Sequence, residues 1–239
     1  CETIFICDGC FKYFANDILW KRHATKCKLF CGPPPGNEVY RDEHSSAGDL
    51  SVFRVKGDEQ GDYCQLLCLL SMCFIKDKCV HLDVEYFDFY VVTQFTSECG
   101  FRPLGYFSKQ RLTTFEVNLN CFCVFPCYQN KGLGRFIIDF SYQLSVISKI
   151  PGGPERPLSD AGLLAYTSYW KRTVTIALSK GDVVDVKALV KKLGMKEDDI
   201  IAVIRALFPM QTNYEEELEV SIGVVKEIAR MEVEKDKNK

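Results

Sequence analysis

Apolar positions along the chain follow two periods, and the switches between them separate strands from helices. Leu50-Ser51-Val52-Phe53-Arg54-Val55 alternates as a strand. Asp58 to Asp62 makes a turn, and Tyr63 to Phe74 follows with apolar residues at helical spacing. Val80 to Glu85 and Phe87 to Phe95 are expected as strands, with Tyr86 to Tyr90 strongly aromatic. Leu104 to Phe107 predicts another strand, and Leu119 to Phe125 another, broken by Pro126. Helical spacing returns at Leu133, Phe136, Ile137, Phe140, Leu144 and Ile147. After Trp170 come a helix-like run, Lys171 to Leu178, and two short helices, Val183 to Leu193 and Glu197 to Leu207, joined by Gly194-Met195-Lys196. That last pair has helix-turn-helix spacing. Before all this, Gly32 to Glu38 is loop-like and holds three consecutive prolines, Pro33 to Pro35. Strands and helices mixed in this way predict an α+β or mixed α/β core.

The most informative junction lies at residues 127–135, Cys-Tyr-Gln-Asn-Lys-Gly-Leu-Gly-Arg, between a strand and a helix. Glycines let backbone N–H groups approach a ligand, and a helix N-terminus carries partial positive charge, so the expected guest is a pyrophosphate. A nucleotide-hydrolysing P-loop needs Gly-Lys followed by Ser or Thr; here Lys131 precedes Gly132. A dinucleotide loop needs a small residue three places after Gly134, where Ile137 stands. A Gln-x-x-Gly-x-Gly turn opening a helix resembles the acetyl-coenzyme A loop of the N-acetyltransferase superfamily. The competing reading is an ordinary helix-start turn.

Composition narrows the class. The chain has 239 residues, 47% hydrophobic and 26% charged, with net charge −2, the profile of a soluble globular protein with no basic excess to favour nucleic acid. No apolar run reaches the roughly 18 residues of a membrane span. The chain opens on Cys1 without a methionine, so it is expected to be a piece of something longer. Thirteen cysteines are an odd count, and Cys64, Cys68, Cys73, Cys121 and Cys123 sit inside apolar runs where a reduced thiol packs as a small hydrophobe. A reducing, intracellular compartment is therefore expected.

Four positions differ in character. Cys7-x2-Cys10-x12-His23-x3-Cys27 has the ligand spacing of a ββα zinc finger whose last ligand is Cys instead of His. Asp17 to Lys26 would supply the helix, with Asn16 or Asp17 as N-cap, and Tyr13, Phe14 and Leu19 the small apolar core. A lone finger covers only about 3 base pairs, so a structural staple is favoured over a DNA reader. Lys12, Lys21, Arg22 and Lys26 leave the second reading open.

Taken in order, several segments resemble the MYST family of histone (lysine) acetyltransferases. They are the Cys-Cys-His-Cys finger, Pro-Pro-Gly-Asn-Glu-Val-Tyr-Arg at 34–41, Tyr-Cys-Gln-Leu-Leu-Cys-Leu-Leu at 63–70 and Leu-Asp-Val-Glu at 82–85. Phe-Tyr at 89–90, Gly-Tyr-Phe-Ser-Lys at 105–109 and the Gln129–Gly134 loop continue the series. It ends with Phe-Ser-Tyr-Gln-Leu-Ser at 140–145, Gly-Pro-Glu-Arg-Pro-Leu-Ser-Asp at 153–160 and Ser-Tyr-Trp at 168–170. The resemblance implies a zinc module over 1–32, an N-acetyltransferase-like core over 33–170 that binds acetyl-CoA, and a helix-turn-helix-like helical part with a charged tail over 171–239.

It also implies site residues. Glu155 matches the family's catalytic glutamate and Cys121 its active-site cysteine. Direct attack with Glu155 as base is favoured over an obligatory acyl-cysteine, and a buried structural thiol is the competing reading of Cys121. Phe122, Cys123 and Val124 would flank coenzyme A, with its pyrophosphate on Gln129, Asn130, Lys131, Gly132, Leu133, Gly134 and Arg135. Ser159 and Ser168 match cofactor-contacting positions, although Ser159 could instead cap a helix. Lys78 matches an autoacetylated lysine. Asn130 stands where the family has a basic residue, Leu133 where it has an aromatic, Cys127 where it has a second proline, and Asn120 where it has a small apolar residue. The implied activity is nuclear: acetylation of lysines in histone tails and nucleosomes, within a multiprotein complex, using acetyl-CoA and a structural Zn2+. The alternative is a chromatin-binding scaffold that keeps the acetyl-CoA pocket. Glu197, Asp198 and Asp199 at the start of the last helix would repel phosphate, which argues against sequence-specific DNA reading.

Overall fold

The computed structural model describes residues 3–43, 49–75, 82–111, 116–179 and 185–207. It divides into two compact units, one of Cys1–Thr114 with Leu119–Ile137, the other of Phe115–Asn118 with Ile138–Lys239. No helix among the described residues is long and apolar enough to cross a membrane.

The first unit begins with a small hairpin, β1 (Phe5–Ile6) and β2 (Tyr13–Phe14), and helix α1 (Asp17–Ala24). Asn16 is the N-cap: its side chain accepts the Ile18 N–H at 2.7 Å. The apolar core of this module is the expected one at Phe14 but not at Tyr13 and Leu19. Tyr13 and Leu19 are 58% and 54% exposed. In their place, Trp20 packs edge-on to Phe30 and donates its indole N–H to the Ile6 carbonyl, while Phe14 lies against the His23 ring. Phe11, the residue directly after Cys10 in the knuckle, turns outward from the finger and is 3% exposed. Its backbone takes φ +62°, a left-handed conformation that bulky residues rarely adopt.

The sheet of this unit has five antiparallel strands in the order β3 (Asn37–Asp42), β4 (Asp49–Lys56), β5 (Phe87–Thr96), β6 (Gly100–Gln110) and β8 (Cys121–Val124). The expected strand 80–85 does not form within the described residues; Val84–Tyr86 is a 3-10 turn leading into β5. Helix α2 (Gly61–Met72) buries Tyr63, Cys64, Leu67, Cys68 and Ser71, the i, i+3, i+4 stripe that its sequence carries. That stripe packs with Val55, Phe89, Val91, Tyr106, Cys123 and Phe125, and Phe11 joins the same cluster. Cys64 and Cys68 thus serve as small hydrophobes, and burial raises the Cys64 thiol far above its ordinary value.

The expected strand 119–125 is two strands. β7 (Val117–Leu119) pairs with β9 (Gly153–Pro154), while β8 joins the main sheet. Asn120 makes the break: its backbone N–H reaches the Ser108 carbonyl at 2.9 Å and its side-chain oxygen accepts the Gln110 N–H at 2.8 Å. A small apolar residue would lack that second bond.

The second unit is mainly helical. α3 (Leu133–Ser148) runs into it, followed by α4 (Asp160–Leu178), α5 (Val186–Leu193) and α6 (Glu197–Leu207). The helix-like run expected from Lys171 is the second half of α4. Tyr142, Tyr166, Tyr169 and Trp170 fill the core between helices. The Trp170 indole donates to the Tyr142 hydroxyl at 2.7 Å, the Tyr142 and Tyr169 rings stack with centroids 5.4 Å apart, and Tyr169 donates to Asp139. Gly194 ends α5 at φ +65°, and a Cβ there would lie 2.9 Å from the Tyr142 carbonyl oxygen. Both the backbone and the space demand glycine.

Candidate active site

Cys7, Cys10, His23 and Cys27 come together as their spacing predicts, with all four ligand atoms within 4.8 Å of one another. Cys7 follows β1 and Cys10 lies in the hairpin turn. His23 is on the last turn of α1, with Cys27 one helical turn beyond. The Cys10 sulfur is 3.2 Å from His23 Nε2 and the Cys7 sulfur 3.9 Å from that of Cys27. Three sulfurs and an imidazole nitrogen, in a cluster of this size, suit tetrahedral Zn2+. Burial pushes the Cys10 thiol up to about 12 and raises Cys7 in the same way. Binding a metal therefore means expelling these protons, which a dication compensates.

The glycine turn is built at the end of β8. Pro126–Tyr128 forms a 3-10 turn, and the Gln129 side-chain amide donates to the Val124 carbonyl at 3.0 Å, tying the loop back to the strand. Gln129 thus holds the loop's shape through its side chain. Asn130 has φ +60° and Gly132 φ +82°. Asn tolerates the left-handed conformation of position 130 better than most side chains do. A Cβ on Gly132 would meet nothing within 4 Å, so its backbone, and not crowding, requires glycine. A Cβ on Gly134 would find only Phe122 Cε2, at 4.0 Å, which leaves open space above the start of α3. The first N–H groups of a helix have no intrahelical acceptor, so the loop can present them to a diphosphate. Lys131 Nζ sits 5.8 Å from the Tyr128 ring centroid, and Arg135 is exposed. Leu133 is the first residue of α3.

On β8, Phe122 is half-buried and the Cys123 side chain is buried in the core beneath α2. Cys121 is half-buried and pairs with Ser108 across the ladder. Cys127 is exposed.

Glu155 belongs to the second unit. It follows β9 directly and is exposed, with Pro154 buried before it and the Arg156–Pro157 peptide in the cis form after it. Gly152 N–H donates to the Gly194 carbonyl at 2.9 Å, and Gly153 N–H to the Glu116 carbonyl at 3.1 Å. The Arg156 guanidinium donates to the Asp199 carboxylate at 2.7 Å and lies 5.8 Å from the Trp170 ring centroid. Ser159 is the N-cap of α4, accepting the Gly162 N–H at 3.2 Å, as its capping alternative expected. Ser168 is exposed on α4. Lys78 and the tail after Glu232 lie outside the described residues. Of the three acids opening α6, Glu197 and Asp198 are exposed, but Asp199 is turned inward. Nothing local in the sequence marked Arg156 or Asp199, because their contact spans 43 residues.

A mixed sheet-and-helix core of this order, with a glycine turn feeding a helix and a Cys/His metal cluster before it, has the fold of an acetyltransferase of the MYST type. The chain belongs to the MOZ/SAS family, which matches residues 33–239. It is 41% identical over 208 residues to "Histone acetyltransferase mst2" of Schizosaccharomyces pombe, covering 86% of this chain and 49% of that protein. It is 44% identical over 178 residues to "Histone acetyltransferase SAS3" of Saccharomyces cerevisiae, covering 71% and 21%. "Histone acetyltransferase KAT6B" of Mus musculus is 40% identical over 206 residues, covering 85% and 11%. The chain thus spans half or less of the length of these relatives.

Proposed function

We propose that this protein is a histone acetyltransferase, moving acetyl from acetyl-CoA to the ε-amine of lysines in histone tails. The observation that carries the reading is Glu155: an exposed carboxylate directly after β9 on a backbone pinned on both sides, in a chain of this family. A free lysine has a pKa of about 10.4, so at about pH 7 roughly one amine in 2,500 is ready to attack. Glu155 accepts the amine proton as the nitrogen bonds to the thioester carbon; the carbon–sulfur bond breaks and the coenzyme leaves as a thiolate that takes up a proton. Direct transfer is favoured, with Cys121 lining the acetyl position on β8.

The coenzyme's diphosphate would rest on the N–H groups of residues 130–135, beside Lys131 and Arg135, with Phe122 to Val124 along its arm. Ser159 and Ser168 would contact the cofactor, and Lys78 would accept acetyl in cis. Cys7, Cys10, His23 and Cys27 would hold a structural Zn2+. The parent protein would act in the nucleus on nucleosomes, within a multiprotein complex.

The test is acetylation of a histone mixture by the wild type and Glu155→Gln. The variant should lose at least 100-fold in kcat while binding coenzyme A normally, since general-base catalysis contributes about 10²–10⁴. Cofactor binding without transfer by the wild type would instead favour the scaffold reading.

A further inference from the structure

We infer that Asp199, at the first turn of α6, is the positioning residue for Glu155, with Arg156 as its connector. The inference rests on reading Glu155 as the base. Asp199 lies far from Glu155 in sequence, yet it touches the chain on both sides of it. Its Oδ1 receives the Arg156 guanidinium at 2.7 Å. Its Oδ2 lies 3.1 Å from where a Cβ on Gly153 would stand, so Gly153 is bare where the carboxylate packs. The Asp199 side chain is 8% exposed and that of Arg156 60%. The acid is the fixed end of the pair and the arginine the reaching end.

Three other contacts make the seat rigid. Gly152 forms a parallel bridge with Met195 and donates to the Gly194 carbonyl, so the turn between α5 and α6 holds the approach to β9. Gly153 donates to Glu116, beside β7. Arg156 lies over Trp170, which is itself locked by its bond to the Tyr142 hydroxyl. Residues 152, 153 and 156 are thereby fixed, while the side chain between them stays exposed. This arrangement suits a base that must meet an incoming amine, because a 1 Å misplacement can cost about 100-fold in rate.

The chemistry of the pair fits a constraint better than a source of stability. A buried carboxylate needs a partner or it loses its charge, and burial does raise the Asp199 carboxyl while Arg156 opposes the rise. The amides opening α6 add partial positive charge on the same side. A charge-assisted bond is about twice as strong as a neutral one, so removing the charge loosens Arg156 without removing its acceptor.

The experiment compares Asp199→Asn, Arg156→Lys and Arg156→Ala in the full chain, each alone and in the Glu155→Gln background. Steady-state rates, coenzyme A affinity and amide hydrogen exchange of peptides covering 152–158 are measured. Asp199→Asn and Arg156→Ala should each lower kcat about tenfold, keep the coenzyme A Kd within twofold, and speed exchange at 152–158. Arg156→Lys should recover part of the rate. In the Glu155→Gln background neither substitution should lower the residual rate further. Equal losses in both backgrounds, or wild-type kcat with unchanged exchange, would overturn the inference. If Glu155→Gln alone keeps the full rate, the base reading fails by itself. The exchange data then decide whether Asp199 positions the segment, and unchanged exchange in Asp199→Asn refutes it.

Discussion

Gly132 and Gly134 have different reasons to be glycine, and two substitutions separate them. Gly132 is held at φ +82° in open space, so Gly132→Ala forces the loop to rearrange at a cost of about 1 kcal/mol. Coenzyme A affinity should fall about fivefold, read by calorimetry. A Cβ on Gly134 meets no protein atom closer than 4.0 Å, so Gly134→Ala should leave the melting temperature unchanged. It should nevertheless weaken coenzyme A at least tenfold if the diphosphate fills that space; unchanged affinity would mean that the cofactor does not lie there. At this scale the sequence was legible where chemistry and spacing coincide, as in Cys7, Cys10, His23 and Cys27. It was silent on Gln129, whose motif position suggests a ligand contact but whose amide ties the loop to Val124. It was equally silent on Asp199, an apparent surface acid that is buried by contacts formed only in the fold.

Elements with a strong period were read correctly, and those set by a partner were not. α2 and α3 carry their apolar stripes in the sequence, and β4 and β5 alternate or run apolar as buried strands do. β9 is two residues long and exists only because β7 pairs with it, so no local pattern announces it. The single strand expected over 119–125 failed because Asn120 bonds to β6 and splits it. In the finger, the expected core was Tyr13, Phe14 and Leu19; Phe14 does pack, on His23, but Tyr13 and Leu19 face solvent and half-buried Trp20 lies against Phe30 instead. A chelator that removes the metal should melt this element first. Hydrogen exchange of residues 5–27 is expected to approach the unfolded rate while β5 and β6 stay protected; uniform protection would show that the four ligands do not hold a metal that matters to folding.

At the scale of the whole molecule, stability should respond to pH through Asp199. Burial raises its carboxyl above the ordinary 3.8, with Asp198 acting in the same direction and Arg156 and Lys196 opposing. The protonated form is therefore favoured in the fold. Its contribution is complete below the unfolded pKa and is lost as pH rises through the folded one. Asp199→Asn does not titrate, so the difference in urea midpoint between variant and wild type should move in the variant's favour from about pH 3 to pH 6. A shift in the opposite direction would mean that the Arg156 bond outweighs burial. The Phe11 knuckle bears on the same scale. Its ring lies 5.3 Å from that of Tyr63 and 6.0 Å from that of Phe125. Phe11→Ala should cost about 3–5 kcal/mol, as for a buried core aromatic, in a denaturant titration with zinc retained. A finger normally closes upon its own contents; this one lends a ring to the sheet beside it. Cutting the chain after Cys31 would therefore do more than discard a metal site. It would unroof Tyr63 and Phe125, so an expression fragment that begins at the family match is expected to be sticky and short-lived even though every proposed catalytic residue is retained.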